Sequence, residues 1–182
     1  MDRLFGGWLF VLIYLMLNWV LLKIYPEHFS KRFFTKQTYR TKAQRYSSKA
    51  YSVLLNVTLA YALFVHASLK QPYFYIGMIT YLISGALYTI SLTDYASTPP
   101  DTPVTKGIYK VTRHPQQILT ELMFIGCALA LSSPAIFISG VAQLVLLNWS
   151  MQSQEQYCIE RYGERYREYM KRTPRYFLFR RL

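Results

Sequence analysis

Long stretches without charge, separated by connectors dense in lysine and arginine, constrain this chain more than any other feature. The basic residues gather between positions 31 and 49, around 106–113 and from 161 to 181, and the segments between are nearly uncharged. A helix needs about 20 apolar residues to cross the hydrocarbon core of a bilayer, and residues 5–22, 51–69 and 73–92 supply such lengths. Two shorter apolar stretches follow at 118–132 and 135–149, with the turn signal Ser133-Pro134 between them. We read these two as an antiparallel helical hairpin whose helices continue beyond the hydrocarbon; a buried hairpin of a soluble protein is the alternative. The expected fold is therefore all-α, a polytopic membrane protein of about five transmembrane helices. At 182 residues the chain is enough for one domain, with three N-terminal spans in 1–92 and a separate C-terminal half in 93–182.

A net charge of +12 on a chain that is 52% hydrophobic would be puzzling if the charges were scattered. Apolar spans with basic connectors indicate a membrane protein and lipid partners. A binder of duplex DNA would not separate its basic patches by uncharged stretches long enough to cross a bilayer, so no nucleic-acid partner is expected. The connector 26–49 holds Lys31, Arg32, Lys36, Arg40, Lys42, Arg45 and Lys49 against the single acid Glu27. The positive-inside rule places it in the cytoplasm, which puts the N-terminus outside. With five spans, every other strongly basic segment and the C-terminus then fall on the cytoplasmic side. The stretch 5–22 is too long for a signal-peptide core and no small-residue cleavage site follows it, so no cleavable leader is expected. Cys127 lies in a span and Cys158 beyond one, which makes a disulfide between them unexpected.

The connector 93–117 opens with Pro99, Pro100 and Pro103, which rule out a regular helix there and give an extended link. The tail from 151 to 172 is rich in helix formers and broken at Gly163, with Glu164–Arg167 and Glu168–Arg172 at helical spacing. The final aromatic and basic segment, 176–181, suits an anionic membrane surface.

Three places carry candidate chemistry. Arg113-His114-Pro115 comes first: Pro115 fits the first turn of a helix, leaving Arg113 and His114 at an N-terminus that already favours anions. Together they form a seat for a carboxylate or phosphate, although the same tripeptide also serves as a plain basic flank of a membrane helix. Gly107, two residues before Tyr109, permits close approach of the backbone to a ligand. Glu155 follows the last span between Gln154 and Gln156, placed to meet either a ligand ammonium or Arg113. Glu121 lies one turn past Gln117 on the same helix face, and an ionisable group inside a span usually points into a protein cavity. Asn18, Asn56 and His66, also inside spans, are more often interhelical hydrogen-bonders than ligands. There is no zinc-ligand spacing and no glycine-rich phosphate loop after a strand.

The stretch 103–117, a helical hairpin, and then 155–174 resemble the C-terminal half of the isoprenylcysteine carboxyl methyltransferase and phospholipid methyltransferase families. The pattern of the first is Gly-x-Tyr, Arg-His-Pro-x-Tyr, two spans, adjacent glutamates, then Phe/Tyr-Gly-x-x-Tyr-x-x-Tyr. Gly107, Tyr109, Arg113, His114, Pro115, Glu155, Tyr162, Gly163, Tyr166 and Tyr169 match it. Gln117 stands where the pattern has tyrosine, and Gln154 and Gln156 flank a single acid. The resemblance implies an integral membrane methyltransferase that uses S-adenosylmethionine on a lipophilic acceptor at the cytoplasmic membrane face. It implies cofactor contacts from Gly107, Tyr109, Arg113, His114, Glu155 and Tyr166, with Gln117 at the place of the pattern's tyrosine, and a C-terminal helix closing the site. On this reading Arg113 acts in the reaction and Glu121, from its place inside a span, orients or deprotonates the acceptor. The acceptor stays open among a carboxylate, an amine and a thiol. The run from Cys158 to Tyr166 is also similar to one in the larger membrane sterol reductases, which bind a nicotinamide, and a non-catalytic membrane protein that keeps the fold is the third possibility.

Overall fold

The computed structural model describes residues 6–24, 41–67 and 71–176. Within them the chain is all-α: α1 (Gly7–Ile24), α2 (Lys42–Ala62), α3 (Pro72–Ala96), a short 3-10 helix (Gly107–Lys110), α4 (Pro115–Ala130), α5 (Pro134–Tyr162) and α6 (Glu164–Arg172). Local chemistry sets these boundaries. Thr41 and Gln44 form a reciprocal capping box at the start of α2. Pro72, Pro115 and Pro134 each open a helix in the first turn, where the missing N–H costs nothing. Gly163, at φ +58°, separates α5 from α6.

Three helices, α1, α3 and α5, are long and apolar enough to cross a membrane. The second expected span is shifted: its helix starts in the basic connector at Lys42 and ends at Ala62, and Gly7 N–H instead meets the Val65 carbonyl at 2.8 Å. α4 holds 16 residues, about 24 Å of helix, short of a 30 Å hydrocarbon core. The expected extension of the hairpin occurs on one arm: α5 holds 29 residues and runs well past its apolar part, which ends near Trp149. Residues 26–40, with His28 and most of the basic connector, and the final segment 177–182 lie outside the described residues.

The helices pack α3–α4–α5–α2 in a row, and α1 lies against both α2 and α3. Between helices in lipid, close backbone approach and polar contacts replace the hydrophobic drive. The α3–α4 contact, the most extensive, depends on two glycines: an added Cβ at Gly77 would stand 2.3 Å from Ala130 N, and one at Gly126 2.7 Å from Tyr81 N. Buried Gln143 on α5 donates to Ser139 and reaches Thr58 on α2 at 3.3 Å. Asn18 acts as the expected interhelical hydrogen-bonder, accepting from Tyr88 at 2.8 Å. Asn56 does not: its amide bonds Ser52 one turn back on its own helix.

Candidate active site

The C-terminal end of α3, the N-termini of α2 and α4, the later part of α5 and all of α6 meet at one end of the bundle. The connector between α3 and α4 supplies the backbone there. Gly107 sits at φ +54° and a Cβ on it would fall 1.9 Å from Asp94 Oδ2. The Asp94 carboxylate occupies that space and accepts from the Ile108 N–H at 3.2 Å. What approaches Gly107 is thus a side chain that holds the 3-10 turn, and Gly107 is not among the residues lining the cavity described below. Tyr109 follows, buried, with its carbonyl accepting from the Tyr169 hydroxyl at 2.6 Å. Arg113 N–H donates to the Pro174 carbonyl at 3.0 Å, and Thr112 Oγ1 donates to the Arg175 carbonyl at 2.5 Å. The segment after α6 is thereby fastened across the residues before α4.

Glu155 is the hub of the site. Its Oε1 lies 3.1 Å from His114 Nε2, 3.0 Å from Arg175 Nε and 3.4 Å from an Arg113 terminal nitrogen; its Oε2 accepts from Arg175 at 2.6 Å. Of the two partners expected for this carboxylate, it holds Arg113, and it is not among the residues lining the cavity. Burial pushes its pKa up, but the hydrogen bonds from His114 and Arg175 and the Arg113 charge outweigh burial and bring it down to about 2. It lies beyond the apolar part of α5 and stays ionised. Arg175 also reaches Asn148 Oδ1 at 3.1 Å.

Gln117 and Gln154, the two departures from the family pattern, are bonded to each other: Gln117 Nε2 donates to Gln154 Oε1 at 2.6 Å. Gln117 Oε1 in turn lies 3.1 Å from His114 Nδ1. A single chain of contacts runs Glu155–His114–Gln117–Gln154, so the imidazole is fixed at both ring nitrogens. The two amides thus form a pair, one member of which supports His114.

In front of this network lies a cavity of about 360 Å³. Tyr109, Arg113, His114, Gln117 and Tyr166, among the residues expected to contact a cofactor, line it. So do Tyr162 of the family pattern and Gln116, Tyr95 and Tyr157, which no motif singled out. Burial pushes the Tyr166 and Tyr169 hydroxyls up, so both are neutral. Arg113 Nε and Nη1 and Gln116 Nε2 are buried and have no partner among the described residues. Buried unpaired donors are costly, and these belong to residues on the cavity wall, beside the N-terminus of α4. The arrangement fits an anionic group, and a carboxylate such as that of S-adenosylmethionine is one.

The cavity continues inward to Tyr14, Tyr51, Leu55 and Tyr88. Glu121 is behind that wall, 1% exposed, about 9 Å along α4 from Pro115. It accepts from the Tyr51 hydroxyl at 3.1 Å, while its other oxygen has no partner among the described residues. Tyr51, not Glu121, is the member of the pair that lines the cavity. The signal that could have pointed to these residues is the tyrosine count, 17 in all, several of them inside spans where a phenol needs a polar partner.

Comparison with known proteins gives one family. The family model described as phospholipid methyltransferase matches residues 46–165, a stretch that contains most of α2, all of α3 to α5 and every proposed site residue except Tyr166. No curated protein and no solved structure matches the chain. The match covers well over half of the 182 residues, and the chain belongs to the phospholipid methyltransferase family.

Proposed function

We propose that the protein transfers a methyl group from S-adenosylmethionine to a lipophilic acceptor at the cytoplasmic face of the membrane. The observation that carries this is the polarity of the cavity. Arg113, His114 and Gln116 line one end beside the N-terminus of α4, with buried unpaired donors on Arg113 and Gln116 just behind that lining, and a tyrosine hydroxyl is committed to a buried carboxylate at the other end. When bound, S-adenosylmethionine supplies an activated methyl group on a sulfonium, so the protein's task is alignment and exclusion of water. Arg113 and Gln116 would hold its carboxylate. Tyr109 and Tyr166 offer apolar faces, and Tyr166 a neutral hydroxyl, for the remainder. His114 and Gln117 line the same wall, and Glu155 holds Arg113 and His114 in place from behind.

At the inner end, the Tyr51 hydroxyl donates its hydrogen bond to Glu121, so its oxygen would accept one from a molecule in the cavity. A group that donates a hydrogen bond, an amine or a thiol, is favoured there. A carboxylate acceptor would meet a hydrogen-bond acceptor backed by a second carboxyl group. Calorimetry of the purified protein tests the donor: S-adenosylmethionine should bind and reduced nicotinamide should not, and the reverse result would sink the proposal.

The proposed topology has five spans, with α2 and α4 crossing beside the three long apolar helices, the N-terminus outside and the site in the cytoplasm. Lys42 and Lys171 are exposed near the site end. Cysteines placed at these two positions should both react with impermeant reagent from the cytoplasmic side only. Labelling of the two from opposite sides would refute the arrangement.

A further inference from the structure

Glu155 offers two oxygens to three cationic or hydrogen-bonding partners, and they are unequally shared. Arg175 takes both, at 3.0 Å through Nε and 2.6 Å through Nη2, the forked geometry that guanidinium and carboxylate prefer. Arg113 reaches Oε1 only, at 3.4 Å through Nη2. Its Nε and Nη1 are left without a partner although they are buried. Arg175 cannot turn away easily, because Asn148 takes its third nitrogen and its own carbonyl is bound by Thr112.

We propose that Arg175 is a positioning residue: by occupying the fork of Glu155 it keeps Arg113 from doing so, and leaves the Arg113 guanidinium available to a carboxylate in the cavity. The inference rests on the methyl-donor reading of the cavity and adds a specific source for its anion recognition. Arg175 lies beyond the 46–165 family match and does not line the cavity. Without it, Glu155 would face Arg113 with one oxygen unclaimed. Two charges that can fork in a buried site will do so, and the guanidinium would then swing back from the wall it now lines. Arg113 would remain, but its free nitrogens would be spent on protein.

The test separates carboxylate recognition from general integrity of the site. S-adenosylhomocysteine and 5′-methylthioadenosine share the adenosine thioether, and the first alone carries the amino-acid carboxylate. Binding of each is measured by calorimetry to the full-length protein and to Arg175→Gln and Arg175→Lys. In Arg175→Gln, affinity for S-adenosylhomocysteine should fall roughly tenfold or more, the effect of one lost charged hydrogen bond in a desolvated site. Affinity for 5′-methylthioadenosine should stay within experimental error. Arg175→Lys should fall between, since a lysine keeps the charge but cannot fork. Equal loss for both ligands would overturn the inference by making Arg175 a scaffold residue only, as would no loss for either. If the unsubstituted protein binds neither ligand, the donor reading itself fails and takes this inference with it, a pattern the variants alone cannot produce.

Discussion

Glu155→Ala will have the largest effect on donor binding of any substitution at the site. The change removes the acceptor shared by His114, Arg113 and Arg175 and leaves two arginines facing each other across a gap. Breaking a buried ion pair by removing one partner typically costs about 3–5 kcal/mol. Arg175 is a quarter exposed, so its share is screened and the lower end of that range applies. Beyond stability, affinity for S-adenosylmethionine should fall by roughly a hundredfold, because Arg113 and His114 lose their alignment together. His114→Ala should fall less, roughly tenfold, since Glu155 keeps both arginines. Calorimetry on folded variants measures both. Unchanged binding in the two would mean that the donor lies elsewhere.

Glu121→Gln should separate turnover from donor binding. The substitution keeps the shape of the side chain and removes its ionisable group, and Glu121 is linked to the cavity lining by its hydrogen bond from Tyr51. Groups that orient or accept a proton in a transition state contribute typically about 100-fold or more. Turnover with a lipid acceptor is therefore expected to drop by roughly two orders of magnitude while the affinity for S-adenosylmethionine stays near normal. Tyr51→Phe should lose about as much, and the double variant little more than either single one, because residues acting as a unit are not additive. Loss of donor affinity in Glu121→Gln would move this residue into the donor site. Full activity would make it a tolerated buried acid.

The two predictions probe opposite ends of one cavity, and the helices that hold those ends differ in how they are anchored. Glu155 lies on α5, in the part that continues beyond its apolar stretch, where ionic contacts are available. Glu121 lies on a 16-residue helix whose neighbours in the row are the glycine-dependent contact with α3 and the contact with α5. That packing holds α4 along its length, so the proposed donor and acceptor ends of the cavity would keep a constant separation.

Much of this was legible in the sequence for physical reasons. Uncharged length demands membrane helices, proline in a first turn and the Thr41–Gln44 box mark where helices begin, and glycine at 163 marks where one ends. The Arg113-His114-Pro115 motif and Glu155 are about forty positions apart, and a hairpin of known helical pitch returns one to the other. Their pairing was among the alternatives that spacing allowed.

Tertiary structure decided the rest, because it concerns which partner a group takes among several of similar chemistry. Spacing could not say whether Glu155 would meet a ligand or Arg113, nor that Arg175, a residue outside every motif, would take both of its oxygens. It could not show that Gln117 and Gln154 would bond each other while Gln117 supports His114. Nor could it place Tyr51 in front of Glu121, since those residues are 70 positions apart and come from helices that sequence alone gives no reason to join. Hydrophobic length is a one-dimensional property and can be read from a chain. The division of a carboxylate on α5 between two arginines, one just before α4 and one just after α6, is a property of three segments in space, and only their packing determines it.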